Sequence, residues 1–244
     1  EMCIRDREGP DCPLLAAPEE LAELAGLMEA PMRLEDQDGD HLTLIQQEPL
    51  MAVAGIAARK KDGETVSGDA GTYFKRGDGT LYVLLCDGMG SGPQANRESS
   101  LALRLLEQFL QAGVETEHAL VTLNSALALR GEEAGGFTTV DLLQVDLFTG
   151  DGVVFKLGAA PTYVRKGGTV RRISGASLPA GLAAEERSAP DRFPIHLSPG
   201  DCVLLVSDGV TGTEDDSWLR ERLVKFDQGS PKELARDLIT HSPQ

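Results

Sequence analysis

The chain has 244 residues, 41% hydrophobic, 25% charged and 5% aromatic, with a formal net charge of −16. Such a length and apolar share suffice to bury a core, while the acidity argues against a nucleic-acid partner, because a phosphate backbone demands a basic surface. There is no run of about 18 apolar residues, so no segment of it is expected to span a membrane.

Residues 1–17, with Gly9-Pro10 and Cys12-Pro13, read as irregular. In residues 18–34, Leu21, Leu24, Leu27, Met28 and Met32 recur at near-helical spacing, which predicts a helix broken near Pro31. Residues 36–40 read as an acidic turn, 41–47 as an alternating strand and 49–59 as a second strand, followed by a turn at Lys60-Lys61-Asp62-Gly63. Then come Ser67-Gly68-Asp69, a strand over 71–75, a turn at Arg76-Gly77-Asp78-Gly79 and an apolar strand from Leu81. Together they predict a β-hairpin with Asp69 near one end and Asp87 at the other.

The apolar run empties into Asp87-Gly88-Met89-Gly90-Ser91-Gly92. From Ser91 or Pro93 onward, Ala95, Leu101, Leu103, Leu105, Leu106, Phe109 and Leu110 give the clearest helical stripe of the chain, ended by Gly113. A second helix is predicted over 114–129, strands over 138–147, 152–159, 161–166, 169–174, 192–197 and 201–207, and a last helix over 231–240. No helix alternates regularly with these strands, so the sheets are expected to be mainly antiparallel and the class α+β.

A second apolar run, Val203-Leu204-Leu205-Val206-Ser207, also ends in Asp-Gly, at Asp208-Gly209. One such dipeptide is more often a plain turn, since Asp bonds its own backbone and Gly accepts positive φ. Two of them, with Asp69 brought close by the hairpin, point to acids converging at strand ends, an arrangement that holds a hard cation over a rigid sheet.

The other candidates carry less. His41, His118, His196 and His241 lack metal-site spacing, and Cys3, Cys12, Cys86 and Cys202 lack zinc spacing. Cys86 and Cys202 read as buried small hydrophobes, while Cys3 and Cys12 could pair or bind metal, with free thiols favoured in a reducing cytosol. Ser91 has no paired base, and the P-loop lysine is missing after Gly90-Ser91-Gly92, where Pro93 and Gln94 follow. Arg97 or Arg130 could meet a substrate phosphate, although surface arginines usually only solvate a face.

The order Ser67-Gly68-Asp69, hairpin, Cys86-Asp87-Gly88-Met89-Gly90-Ser91-Gly92-Pro93-Gln94-Ala95, long helix and Ser207-Asp208-Gly209 resembles the 2C-type metal-dependent protein phosphatases. Within them it is similar to the stage II sporulation protein E (SpoIIE) family. The likeness extends through Leu123 to Arg130, Thr138 to Leu142, Lys156 to Thr162 and Leu178 to Gly181, and covers residues from about Pro49 to the end. The resemblance implies a four-layer α-β-β-α sandwich, two antiparallel sheets flanked by helices, with metals in a cleft at one end. It divides the chain into a regulatory or linker segment, 1–48, and a catalytic domain, 49–244.

For the site, the resemblance implies two ions, Mn²⁺ or Mg²⁺. Asp87 would bridge them, the Gly88 carbonyl would complete the second site and Asp208 would hold the first ion. Asp69 would be a ligand of the second ion or a partner of its waters, and these roles stay open. Carboxylate-bridged ions activate a water in line with a phosphoester phosphorus, and no enzyme nucleophile is needed. The implied substrate is a phosphoserine on an anti-sigma factor antagonist, whose dephosphorylation leads to sigma factor activation in sporulation. The full-length protein is implied to be membrane-anchored and associated with the division septum, with this part cytoplasmic; a homodimer is plausible.

The resemblance further implies that the helices over 95–129 form a regulatory switch beside the metal turn, involving Gln94, Ser99, Leu101 and Leu105. Position 1 is Glu rather than Met, so the sequence reads as an excised fragment. The family's further Asp, in an Asp-Asp pair before a final strand, has no counterpart before His241-Ser242-Pro243-Gln244: Asp215-Asp216 follow Asp208 too closely, and Asp237 lies in a predicted helix. That strand and ligand are expected to be missing from the piece. Rival readings are a noncatalytic phosphoprotein-binding module, a stress-response phosphatase of the same superfamily, or a hydrolase of small phosphoesters.

Overall fold

The computed structural model describes residues 2–4, 18–38, 41–129, 137–182, 189–211, 215–226 and 229–242. They fall into two compact units, Glu1–Met51 and Ala52–Gln244.

In the first unit, β1 (Met2–Ile4), β2 (Met32–Asp38) and β3 (His41–Gln46) form an antiparallel sheet in the order β1-β3-β2, with one helix, α1 (Pro18–Leu27). The helix expected over 18–34 is thus shorter. The chain turns after Leu27, Glu29 takes a positive φ of 53°, and Met32 pairs with Gln46 to begin a strand. Asp36 and Asp38, expected in a turn, lie in β2 opposite Thr43 and His41. A strand at Met2–Ile4 was not expected; the rest of the predicted irregular segment and Gly39-Asp40 lie outside the described residues.

The second unit holds a five-stranded antiparallel sheet in the order β10-β7-β6-β5-β4, made of β4 (Asp69–Lys75), β5 (Thr80–Gly88), β6 (Thr138–Asp146), β7 (Asp151–Leu157) and β10 (Asp191–His196). A three-stranded sheet, β11-β8-β9, is made of β8 (Thr162–Lys166), β9 (Thr169–Ile173) and β11 (Cys202–Leu204). The helices are α2 (Gly92–Gln111), α3 (Thr116–Ala128), α4 (Asp208–Thr211), α5 (Ser217–Lys225) and α6 (Pro231–His241).

Alternation along the strands explains the layering. Tyr82, Leu84 and Cys86 of β5, Val140 and Leu142 of β6 and Phe155 and Leu157 of β7 share one core with Ala102, Leu106 and Leu110 of α2 and Leu120 and Leu123 of α3. The intervening residues, among them Asp87, Asp141, Leu143, Val154 and Lys156, therefore face the other way. There the Thr162 hydroxyl of β8 reaches Asp141, so the two sheets lie face to face. On the far side of the second sheet, Tyr163 and Val206 pack against Leu219 and Leu223 of α5 and Leu238 of α6. The result is the four-layer α+β sandwich the sequence led us to expect.

Three local expectations fail. Residues 49–59 form no strand: a Cβ on Gly55 would stand 2.3 Å from the Lys232 nitrogen, so this segment lies against the backbone of α6 instead of pairing in a sheet. Only Cys202–Leu204 of 201–207 belongs to β11, because the chain then leaves the sheet to reach α4. Helix α5 was missed; its two buried residues, Leu219 and Leu223, are too few to mark a stripe in sequence.

Candidate metal centre

Asp69 opens β4 and Asp87 stands next to the end of β5, and the register sets them directly opposite one another. Facing residues of an antiparallel pair have β-carbons about 5 Å apart, where two carboxylates repel. Asp208 arrives from the second sheet as the first residue of α4. The preceding Ser207 donates its hydroxyl to Asp69 Oδ2 at 2.9 Å, tying the two sheets together at this end. The consequence appears at Asp87, whose carboxyl is pushed from an ordinary 3.8 up to about 8. Burial is the largest cause, followed by hydrogen bonding and charge from Asp69 and Asp208, which favour its protonated form. The three acids line one cavity of about 480 Å³.

Glycine is required at position 88, where α2 packs directly on the backbone, and the fit at Gly68 is tight. A Cβ on Gly88 would stand 2.0 Å from the Ala95 carbonyl oxygen, and one on Gly68 would meet the Ala95 Cβ at 3.1 Å. The same turns of α2 grip the Ser67-Gly68 backbone: the Asn96 amide donates to the Ser67 carbonyl at 2.8 Å and the Ser99 hydroxyl to the Gly68 carbonyl at 2.6 Å. From β6, the Thr138 hydroxyl donates to the Asp87 carbonyl at 2.7 Å. In the connecting turn Gly90 and Gly92 adopt φ of 90° and 74°, the left-handed region that glycine enters freely.

The other predicted residues scatter. Ser99 is buried in this clamp, whereas Gln94 is exposed; Leu101 is half-buried and Leu105 packs against the α2–α3 core. Arg97 is exposed. Arg130 and Cys12 lie outside the described residues. Cys86 faces the helical core, away from the acids, and burial pushes its thiol well above the ordinary range. His118, His196 and His241 pair with Glu115, Asp151 and Asp237.

Two features escaped the sequence reading. Glu64 lines the same cavity and accepts the Ser91 hydroxyl at 2.9 Å. Behind the acids, Lys156 is buried with its Nζ 2.8 Å from Asp141 Oδ2. Burial raises the Asp141 carboxyl and lowers the Lys156 ammonium, each opposed by the other's charge. A lysine inside Val153-Val154-Phe155-Lys156-Leu157 was the available signal, since a cation in an apolar strand needs a partner.

Among the described residues, no group of three or more His, Cys, Asp or Glu side chains is arranged to hold a metal ion unaided. The donors at hand are carboxylate and carbonyl oxygens, with no thiolate or imidazole among them. Such a set suits a hard divalent cation that keeps part of its water shell, and the cation would relieve the crowding felt at Asp87.

Comparison with known proteins agrees with this architecture. The family model described as stage II sporulation protein E (SpoIIE) matches residues 77–244. Stage II sporulation protein E of Priestia megaterium is 33% identical over 190 residues, 76% of this chain but 32% of that protein. The Bacillus subtilis protein of the same name is 30% identical over 76% of this chain and 22% of its own length. The chain thus spans a third or less of the curated relatives it matches. Among solved structures, the PP2C phosphatase domain of B. subtilis SpoIIE with a fragment of its regulatory domain superposes with a TM-score of 0.75 at 25% identity, covering 93% of this chain and 70% of that one. RsbX, solved in complex with magnesium, shares the fold with a TM-score of 0.59 at 19% identity, covering 86% and 92%. With a family model matched over more than half its length and the sandwich of that family's phosphatase domain around the converging acids, the chain belongs to the SpoIIE family and carries its PP2C-type serine phosphatase domain.

Proposed function

We propose that this domain is a serine/threonine phosphoprotein phosphatase dependent on two Mn²⁺ or Mg²⁺ ions. Its proposed substrate is a phosphoserine on an anti-sigma factor antagonist, and its output sigma factor activation in sporulation. The observation that carries this reading is the meeting of Asp69, Asp87 and Asp208 from two sheets in one cavity. Asp87, which feels both other acids, is the proposed bridging ligand with the Gly88 carbonyl beside it, Asp208 the ligand from the second sheet, and Asp69 a ligand or a partner of bound water. When bound, the ions supply a water of lowered pKa and charge stabilisation at phosphorus.

The protein's own groups do the positioning. Ser207 orients the Asp69 carboxylate, Thr138 holds the Asp87 peptide, and Asn96 and Ser99 fix the backbone that precedes Asp69. That clamp supports α2 as a regulatory element, with Ser99 at the contact, Leu101 and Leu105 further along the helix, and Gln94 free to meet a partner. In this reading residues 49–244 are catalytic and 1–48 regulatory. A membrane anchor and septal association of the full-length protein, and a homodimer, are carried over from the family.

The test is Mn²⁺-dependent phosphate release from a phosphoserine antagonist protein by the intact gene product, beside Asp87→Asn. Turnover abolished by the substitution is the expected result. Binding without turnover in the unaltered protein would make it a phosphoprotein-binding module, and equal rates on small phosphoesters would make it a general hydrolase.

A further inference from the structure

Lys156 has a side-chain exposure of 0% and Asp141 beside it 1%. The register places Asp141, Lys156 and Asp191 side by side across β6, β7 and β10, so an acid-base-acid row crosses the five-stranded sheet on the face turned to the second sheet. From this row the Lys156 ammonium donates to the Ala160 carbonyl at 2.7 Å and to the Thr162 hydroxyl at 2.8 Å. The Thr162 hydroxyl in turn donates to Asp141 Oδ2 at 2.5 Å. Asp191 Oδ2 accepts the Ala176 and Ser177 amides at 2.6 and 2.7 Å, anchoring the far end of the row.

Stability does not account for this arrangement. A buried ion pair is seldom better than an apolar pair of the same volume, and Asp141 Oδ1 is buried with no hydrogen-bond partner among the described residues. What directional partners add is a single preferred alignment, where apolar contacts alone tolerate several. The alignment in question is that of the two sheets. Thr162 sits on β8, whose next residues, Tyr163 and Val164, pair with Leu204 and Val203 of β11, the strand that leads to Ser207 and Asp208. Asp69 and Asp87 stand on the other sheet. A site shared in this way tolerates a misplacement of only about 0.5 Å.

The geometry points to Lys156 as a positioning residue: by joining Asp141 on one sheet to Thr162 on the other, it sets the offset at which Asp208 meets Asp69 and Asp87. The inference rests on the metal-centre reading above and adds to it the device that aligns the centre's two halves.

The test compares Mn²⁺ titration calorimetry and thermal melting in EDTA for the unaltered protein, the double variant Asp141→Leu/Lys156→Met, Thr162→Val and Asp87→Asn. The double variant is expected to melt at or above the unaltered temperature yet bind Mn²⁺ about tenfold or more weakly, the usual range for groups that orient metal ligands. Thr162→Val, which leaves the pair intact within one sheet, is expected to weaken Mn²⁺ binding in the same direction. Unchanged Mn²⁺ affinity in a folded double variant overturns the inference; should that variant not fold, unchanged affinity in Thr162→Val does so. If the unaltered protein binds Mn²⁺ no better than Asp87→Asn, the metal-centre reading itself fails and takes the inference with it.

Discussion

Removing one carboxylate from the acid cluster should stabilise the metal-free domain, and Asp87→Asn is the sharpest case. Its carboxyl is raised from 3.8 to about 8 in the folded protein. A group shifted upward in this way costs nothing well below pH 3.8, where it is protonated in both states. The cost grows as the unfolded chain ionises and is complete above pH 8. Taken whole, the shift amounts to about 4 kcal/mol at pH 7. Asp87 is partly open to solvent, and screening roughly halves that figure to about 2 kcal/mol. For a domain of this size about 2 kcal/mol corresponds to a rise in Tm of roughly 4–8 °C. Calorimetric melts in EDTA at pH 7 and pH 4 supply the assay: the variant should gain at pH 7 and nearly lose its advantage at pH 4. With millimolar Mn²⁺ the order should reverse, since an ion held at about 100 times its dissociation constant adds about 2.7 kcal/mol to the unaltered protein alone. An Asp87→Asn variant that melts no higher than the unaltered protein in EDTA at pH 7, or gains equally at both pH values, would refute the claim that these acids crowd one another.

Gly88→Ala should be among the most damaging single substitutions, because the added Cβ would stand 2.0 Å from the Ala95 carbonyl oxygen and backbone must move; a loss of roughly 3 kcal/mol, at the upper end for overpacking, is expected in urea melts. Ser99→Ala leaves the Gly68 carbonyl without its 2.6 Å donor and should cost about 1–3 kcal/mol, whereas Gln94→Leu on the exposed face should leave the urea midpoint nearly unchanged. Lys156→Met alone strands the buried Asp141 carboxylate and should lose about 3–5 kcal/mol, most of it recovered on adding Asp141→Leu.

What the sequence disclosed and what it hid follow from range. Asp69 and Asp87 were legible because a hairpin with a short turn is a local object, and its alternation determines which face each acid takes. Asp208 was legible only as a repeat of the strand-Asp-Gly pattern; that it meets the other two depends on how the sheets stack, which no local spacing encodes. The Lys156–Asp141 pair lies across the single hairpin β6–β7 and was open to the same local reasoning; only its link to Thr162 depends on how the sheets stack. Residues 49–59 misled because short apolar stretches look alike whether they pair in a sheet or lie along a helix, and Gly55 settles the matter only through its contact with α6.

The contact of Ala95 with Gly68 and Gly88 has one more consequence. Most helices rest on a sheet through side chains that can change rotamer and absorb a push, but here the Ala95 backbone lies directly on Gly88 and only the Ala95 methyl stands against Gly68, so no rotamer is available to absorb one. Helix α2 is 20 residues long, about 30 Å from end to end, so it acts as a stiff lever pivoted on the acid-bearing strand ends. A displacement of α2 near Gln111 is therefore expected to reach the strand ends that carry Asp69 and Asp87 with little of it absorbed on the way.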